Sequence, residues 1–138
     1  MQVKRFNENF AKAWDELVWR ANNGTIFHTR QFLAYHPPDR FIDHSLVFYK
    51  KNKPYVLLPA AEVTNVPDKM LISHPGASMG SFVVPEDLSI ADALELVETL
   101  NSYAKDQGFS GVRITLPPTI YNKRQSNYID FSLLQDRK

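Results

Sequence analysis

The amino-acid sequence predicts an α/β (α+β) fold, in which a mixed sheet is combined with helices. Apolar residues follow helical spacing near the start of the chain and again over residues 89–108, whereas period-two runs lie between and after these segments. A length of 138 residues is typical of one domain, so we predict a single domain over 1–138. The predicted order is two N-terminal helices, a β-meander, one long crossover helix and two C-terminal strands.

Composition excludes several classes of function. Cysteine is absent, which rules out a disulfide framework, an iron–sulfur cluster and a cysteine nucleophile. The formal net charge of +1 provides no overall field for DNA, so no DNA partner is expected. No apolar stretch is long enough to span a membrane, and the N-terminus lacks the apolar core of a signal peptide. We therefore expect a cytoplasmic protein without a transmembrane segment.

Two helices are predicted before the first long strand, and a short strand over Gln2–Arg5 precedes both. Asn7 is placed to cap the first helix, and Asn22-Asn23-Gly24 ends it. Thr29 is placed to cap a short second helix, which must end at Pro37-Pro38 because proline disfavours helix in the preceding residue. The apolar stripe of the first helix consists of Phe10, Trp14, Leu17, Val18 and Ala21.

The β-meander is predicted from three apolar runs, over 45–49, 55–61 and 70–72. The first two runs are joined by the polar loop Lys50-Lys51-Asn52-Lys53, whose lysines suit a solvated turn or, alternatively, a phosphate contact. Pro59 lacks an amide donor, so a bulge or a sheet edge is expected there.

The long helix has the clearest pattern in the sequence. Ser89 and Asp92 occupy positions like those of a capping box, and Gly108 follows the last turn. Period-two strands over 112–116 and 129–133 flank a turn that contains Pro117-Pro118. The predicted apolar stripe of the helix consists of Ile90, Ala93, Leu94, Val97, Leu100, Tyr103 and Ala104.

Five separated motifs add a likeness to a known family. They are Asn23-Gly24-Thr25-Ile26-Phe27-His28-Thr29, Phe32-Leu33-Ala34-Tyr35-His36, Leu58-Pro59-Ala60, Ser73-His74-Pro75-Gly76-Ala77-Ser78-Met79-Gly80 and Pro117-Pro118-Thr119-Ile120-Tyr121. The order of elements resembles the GNAT superfamily, and the motifs, over residues 8–134, resemble the first half of Fem-type N-acyltransferases. In that family two GNAT-like halves usually stand in tandem. The first half helps to form the acceptor cleft, and the acyl donor, carried by coenzyme A or a tRNA, is attributed to the second.

The resemblance and the loop chemistry together give candidate substrate-binding residues but no catalytic residue. Glycines let the backbone approach a ligand, and histidine, serine and tyrosine supply hydrogen bonds. The alternative is structural: a glycine turn, histidines that bond nearby backbone, and a half-buried tyrosine. Adjacent Ser73 and His74 point in opposite directions in an extended chain and form a poor nucleophile–base pair. The candidates are His28, His36, Ser73, His74, Gly76, Ser78, Gly80 and Tyr121.

The loop before the long helix does not suit a coenzyme A diphosphate. Such a group needs backbone amides at a helix N-terminus and glycines that leave room for it. Pro85-Glu86-Asp87-Leu88 has no glycine, lacks one amide and carries two carboxylates. We therefore predict no cofactor site in this chain, and the spacing of the four histidines predicts no metal site.

Three hypotheses follow. The leading one is the acceptor-recognising half of a GNAT-like N-acyltransferase that transfers an acyl or aminoacyl group to an amine of a cell-envelope or sugar-linked substrate. A second GNAT-like half or partner chain would then carry the donor. The alternatives are a non-catalytic binding or interaction module and a stand-alone acetyl-coenzyme A-dependent N-acetyltransferase with a divergent donor loop.

Overall fold

The computed structural model describes residues 1–21, 28–30, 42–65, 68–73 and 82–114. Within these ranges the helices are α1 (Ala11–Arg20), which follows a 3-10 turn over Glu8–Phe10, and α2 (Ile90–Asp106). The predicted second N-terminal helix, the turn at Pro117-Pro118 and the strand over 129–133 lie outside the described residues. The strands are β1 (Gln2–Arg5), β2 (Ile42–Asp43), β3 (Leu46–Lys50), β4 (Lys53–Leu58), β5 (Ala60–Asn65), β6 (Asp68–Ser73) and β7 (Gly111–Arg113).

The described strands form two sheets, of three and four strands. One sheet has the order β1-β3-β4 and the other has the order β2-β5-β6-β7. The chain passes from one sheet to the other three times, between β1 and β2, between β2 and β3 and between β4 and β5. β6 and β7 are parallel and are connected through α2. The predicted α/β class, with one helical crossover, is confirmed.

The β3–β4 hairpin has a tighter turn than predicted. Lys50 pairs with Lys53, so the turn contains two central residues, Lys51 and Asn52, with φ angles of 53° and 65°. Two successive left-handed residues are typical of a type I′ turn, whose twist matches that of the strands. The predicted four-residue loop was wrong because its outer lysines belong to the strands.

Pro59 lies between β4 and β5 and belongs to neither strand, where a bulge or a sheet edge was expected. The two sheets meet here, since the His44 amide donates to the Ala60 carbonyl oxygen at 2.9 Å. Ser45 Oγ accepts a hydrogen bond from the Ala60 amide at 3.2 Å and donates to Asp43 Oδ1 at 2.7 Å. We refer to residues 44, 45, 59 and 60 as the sheet junction.

The two helices pack on opposite faces of the strands. Leu46 and Phe48 lie in the core beneath α2, whereas Val47 lies in the core beneath α1, because successive strand side chains alternate. Trp14 and Val18 of α1 are fully buried, as predicted. The buried residues of α2 are Ala93, Leu96, Val97, Leu100 and Ala104.

The predicted capping residues Asn7, Ser89 and Gly108 are confirmed, whereas Asn22-Asn23-Gly24, predicted to end the first helix, lies outside the described residues. Asn7 Oδ1 accepts a hydrogen bond from the Asn9 amide at 3.0 Å, so it caps the 3-10 turn that leads into α1. Ser89 Oγ accepts from the Asp92 amide at 3.0 Å and caps α2. Gly108 follows α2 with a φ of +80°, a conformation that strains residues with a Cβ.

Two residues of the predicted α2 stripe lie outside the core. Ile90 and Leu94 are 37% and 39% exposed, whereas Leu96 is fully buried. The buried face is centred on Ala93, Val97 and Leu100, so Leu96 falls within it and the other two fall at its margin. No described helix is long and apolar enough to cross a membrane.

Candidate functional site

The edge at the carboxyl ends of β6 and β7 is where a site is expected, because open α/β sheets bind ligands beyond the carboxyl ends of parallel strands. Ser73 ends β6 at this edge, is 5% exposed and pairs with Ala60 of the sheet junction. The chain returns at Val83, which exchanges backbone hydrogen bonds of 2.7 and 3.1 Å with Leu57. It then continues into α2, so the start of α2 follows directly from this edge.

Side chains of the protein itself occupy the first turn of α2. The Asp92 amide donates to Ser89 Oγ, and the Ala93 amide donates to the Ser89 carbonyl oxygen at 3.0 Å. Asp92 Oδ2 accepts from Lys50 Nζ at 2.7 Å and from the Tyr55 hydroxyl at 2.9 Å. Lys50 of the hairpin is therefore bound to α2. Neither the solvated turn nor the phosphate contact expected for the hairpin lysines describes this ion pair.

Carboxylates surround this helix end. Glu86 and Asp87 are exposed in the preceding loop, and Glu95 accepts from the amino group of the first residue at 2.6 Å. The hydrogen bond from the lysine is the largest cause that holds the pKa of Asp92 below its ordinary value. A helix N-terminus attracts anions, and here the carboxylate of Asp92 already lies in the first turn of the helix.

A second polar cluster lies at the sheet junction, beneath α2. His44 Nδ1 is 2.6 Å from Glu62 Oε1, and His44 Nε2 is 2.6 Å from the Tyr103 hydroxyl. Since an ionised carboxylate can only accept, we assign the imidazole proton to Nδ1, and Nε2 then accepts from the phenol. The ring of His44 is 2% exposed. We refer to these three residues as the Glu62–His44–Tyr103 relay.

The electrostatics of the relay favour this assignment. Burial lowers the pKa of His44 below 6.5, the charges of Arg5 and Lys69 lower it further, and the bond to Glu62 opposes them. Burial raises the pKa of Glu62, but the His44 hydrogen bond and the Lys69 charge outweigh it, so the pKa is lowered overall. Burial raises the pKa of Tyr103. At neutral pH the relay therefore holds a carboxylate, a neutral imidazole and a neutral phenol.

Aromatic rings and a cation enclose the relay. The Phe109 ring lies edge-on to the His44 ring at 5.3 Å between centroids. Lys69 Nζ lies 4.4 Å from the Phe109 centroid and 3.7 Å from Glu62 Oε1. In such surroundings a carboxylate fixes the tautomer of the imidazole, and the other ring nitrogen accepts from the phenol. The relay is a buried network whose hydrogen bonds hold the imidazole in one neutral form.

On the opposite face, Arg30 ties α1 to the sheet junction. Its guanidinium donates to Ser45 Oγ at 2.9 Å and to Asp43 Oδ2 at 3.0 Å, and stacks 3.9 Å from the Phe6 ring centroid. Its amide donates to Asp15 Oδ1 of α1 at 2.6 Å. The segment between β2 and β3, which carries His44, is thus held from both faces.

The structure describes two of the eight predicted substrate-binding residues. Ser73 lies at the carboxyl edge of β6, as given above. His28 is fully buried beside α1, where its carbonyl oxygen accepts from Trp14 Nε1 at 2.8 Å. Among the described residues no group of three histidines or carboxylates is placed to hold a metal ion. His36, His74, Gly76, Ser78, Gly80 and Tyr121 lie outside the described residues.

Sequence reasoning did not find the relay. Glu62 and Tyr103 lie 18 and 59 positions from His44, so no local spacing connects them. Tyr103 instead fitted the apolar stripe of the long helix. The available signal was weak: a histidine immediately before a buried strand.

Comparison with known proteins identifies the fold. No protein-family model and no curated protein sequence matches the chain. A GNAT family acetyltransferase from Staphylococcus aureus superposes with a TM-score of 0.58 at 10% identity, over 85% of this chain and 87% of that chain. The chain has a GNAT-like fold.

Two further structures are similar to this chain over nearly its whole length. TTHA1254 from Thermus thermophilus gives a TM-score of 0.57 at 16% identity, over 99% of this chain and 87% of that chain. The aminoglycoside N-acetyltransferase AAC(6')-Iy, solved in complex with CoA, gives 0.51 at 14% identity, over 97% and 84%. At these identities the likeness concerns the fold, and function has to be argued from the site.

Proposed function

We propose that this GNAT-like domain recognises the acceptor in an N-acyl transfer reaction and does not hold the acyl donor at the start of α2. The acceptor would be an amine of a cell-envelope or sugar-linked substrate. A second GNAT-like half or a partner chain would supply the donor, as acyl-coenzyme A or aminoacyl-tRNA. The observation that carries this proposal is the self-occupied, acidic N-terminus of α2.

The amides around that helix end support the proposal. A diphosphate is normally held by several backbone amides that point out of a glycine-rich loop. Here the Leu88 amide donates to the Pro85 carbonyl oxygen at 3.3 Å, and the Asp92 amide donates to Ser89 Oγ at 3.0 Å. Both of these donors are already used within the chain.

The charges around the helix end support it as well. Glu86 and Asp87 are exposed there, and Asp92 lies within the first turn. Lys50, a cation beside this helix end, is bound to Asp92 at 2.7 Å. An incoming diphosphate would have to break that ion pair and approach the other two carboxylates. The residues present do not fit a coenzyme A diphosphate.

Positioning is the chemical task left to the domain. An amine becomes reactive toward an acyl carbonyl when it is held in line with it, and orientation alone supplies large rate gains. We place the acceptor at the carboxyl edge of β6, at Ser73, and the predicted substrate-binding residues outside the described part of the chain stay candidates. This arrangement requires no nucleophile in this domain.

A stand-alone acetyl-coenzyme A-dependent N-acetyltransferase is the second candidate. It is favoured by one observation: the chain spans 87% of the Staphylococcus aureus acetyltransferase and 84% of AAC(6')-Iy, not half of either. A non-catalytic binding module with the same fold is the third candidate, because, like the acceptor-recognising domain, it needs no donor site.

Calorimetric titration with acetyl-coenzyme A tests the donor part of the proposal. We expect no saturable heat from the folded wild-type chain, and weak binding once the Glu86→Arg/Asp87→Gly double substitution removes both loop carboxylates. A Glu8→Arg/Glu16→Gln control has the same change in net charge at a distance and should bind as the wild type does. Saturable micromolar binding by the wild type would make the stand-alone enzyme the leading function.

An amine screen tests the acceptor part. Amide chemical shifts would be followed while amino sugars and amine-bearing cell-wall fragments are added to the full chain. We expect saturable shifts at Ser73 and its neighbours for one class of amine. A complete absence of shifts there across the panel would favour the binding module instead.

A further inference from the structure

A cavity of about 430 Å³ lies between the second half of α2 and β7. This volume is within the range of small-molecule sites. The cavity borders Gly111, the first residue of β7, so it lies toward the amino end of that strand and away from the proposed acceptor edge. The lining residues used below are Glu98, Asn101, Ser102, Lys105, Phe109 and Val112. We refer to it as the α2/β7 cavity.

Opposite charges mark the two ends of the helical wall. Glu98 and Lys105 are seven positions apart and both exposed, so they share one face of α2 across a rise of about 10 Å. Neither forms an ion pair with another residue in the described part of the chain. A ligand with a cation at one end and an anion at the other would satisfy both.

The wall between these charges is polar, and the floor is apolar. Asn101 and Ser102 contribute an amide and a hydroxyl between the charged ends, groups that pair with peptide N–H and C=O. Phe109 is 8% exposed and, with Val112, supplies apolar surface. The lining thus presents, in order, a carboxylate, hydrogen-bonding groups over an apolar surface, and an ammonium.

We propose that the α2/β7 cavity binds a short peptide with free termini, about three residues long. An extended peptide advances about 3.3 Å per residue, so three residues match the rise of about 10 Å between the two positions along α2. The peptide amino group would lie against Glu98, its carboxylate against Lys105, and its side chains on Phe109 and Val112. This site is separate from the proposed acceptor edge. The proposal does not depend on whether the domain takes part in acyl transfer.

Calorimetry with Ala-Leu-Ala and two capped forms tests the proposal on the full chain. N-acetylation removes the positive charge of the peptide, and C-amidation removes its negative charge. We expect saturable binding of the free peptide and roughly fivefold weaker binding of each capped form, the effect of losing one partly exposed charge contact.

Variants assign each terminus to its partner. Glu98→Gln should weaken the free peptide roughly fivefold and abolish the effect of N-acetylation, and Lys105→Gln should do the same for C-amidation. Glu16→Gln and Lys12→Gln remove exposed charges from α1 and should bind as the wild type does. Circular dichroism checks that α2 is retained in each variant.

Three results would overturn the proposal. They are absence of saturable binding by the free peptide, equal affinity for the free and capped forms, and equal losses in the α1 control variants. None of them bears on acetyl-coenzyme A binding, so failure here is distinct from failure of the proposed function.

Discussion

At the scale of single residues, His44 shows how a histidine can be kept neutral inside a small domain. Both ring nitrogens are hydrogen-bonded at 2.6 Å, one to a carboxylate and one to a phenol. Because the ring is almost fully buried, the loss of either partner would leave a polar atom without water to replace it. The relay therefore stabilises the contact of α2 with the sheet junction as well as holding a proton.

Removing the Tyr103 hydroxyl tests that contribution to stability. We expect Tyr103→Phe to lower the free energy of unfolding by about 1 to 2 kcal/mol, the usual cost of leaving a buried acceptor unpaired. Tyr49→Phe is the matched control, since the Tyr49 hydroxyl makes no hydrogen bond to the described residues and its ring is retained. Urea denaturation measures both variants. Equal losses in the two variants would contradict the assigned role of Tyr103.

The relay also predicts a loss of stability in acid. The pKa of folded His44 is below its unfolded value of 6.5, so the unfolded chain binds more protons as the pH falls through 6.5. Glu62 acts in the same direction at lower pH, because its folded pKa is below 4.5. Arg5 and Lys69 add positive charge around the ring and disfavour its protonation, whereas the phenol of Tyr103 stays neutral.

The urea midpoint of the wild type should therefore fall between about pH 7.5 and pH 5.5, with His44→Gln as the comparison. Glutamine cannot titrate, so the midpoint of the variant should depend less on pH in this window. Identical pH dependence in the two proteins would show that His44 does not carry the effect.

At the scale of elements, the start of α2 carries most of the functional argument. Ser89 supplies the cap, and Asp92 connects the first turn to Lys50 and Tyr55 at the end of the β3–β4 hairpin. Bonds of this kind fix the helix end to the sheet and use the positions that an anionic ligand would need. The proposal that this domain does not hold the acyl donor therefore depends on this one helix terminus.

The cap is tested by Ser89→Ala. Loss of the acceptor for the Asp92 amide should lower the free energy of unfolding by about 1 kcal/mol. Ser102→Ala, on the exposed side of the same helix, serves as the control and should change stability by less than about 0.5 kcal/mol. Thermal or urea unfolding of the two variants gives the comparison, and equal effects would contradict the role of Ser89 as the cap.

Local features of the fold could be predicted from the sequence, and non-local ones could not. Asn7, Ser89 and Gly108 were found correctly because a helix end depends on a few neighbouring residues. The two-residue turn at Lys51 and Asn52 was missed because strand register, which sets its length, depends on pairing across the hairpin.

The candidate site follows the same division. The acidic loop before α2 is contiguous in sequence, so the prediction that it does not suit a diphosphate needs only the residues of the loop. The relay joins β5, the sheet junction and α2, and its three residues come together only when the crossover helix is packed. Likewise Ile90 and Leu94 matched the helical period but lie at the margin of the buried face, since the period does not fix where that face is centred.

At the scale of the whole molecule, charge is distributed in a way that the net value of +1 does not reveal. Carboxylates gather at the start of α2, whereas Arg5 and Lys69 lie around the relay near its other end. The net charge therefore does not show that one end of the crossover helix disfavours anions. The fold is GNAT-like, and in our account this end of α2 does not provide the electrostatics that a diphosphate requires.

The central claim is that the N-terminus of α2 does not bind a coenzyme A diphosphate. The most direct measurement is a titration of the isotope-labelled chain with coenzyme A, following the backbone amide shifts of residues 86–93 by NMR. The account predicts no saturable shift of these amides at millimolar ligand. Saturable shifts concentrated at Ser89, Asp92 and Ala93, with loss of the Lys50–Asp92 ion pair, would contradict it.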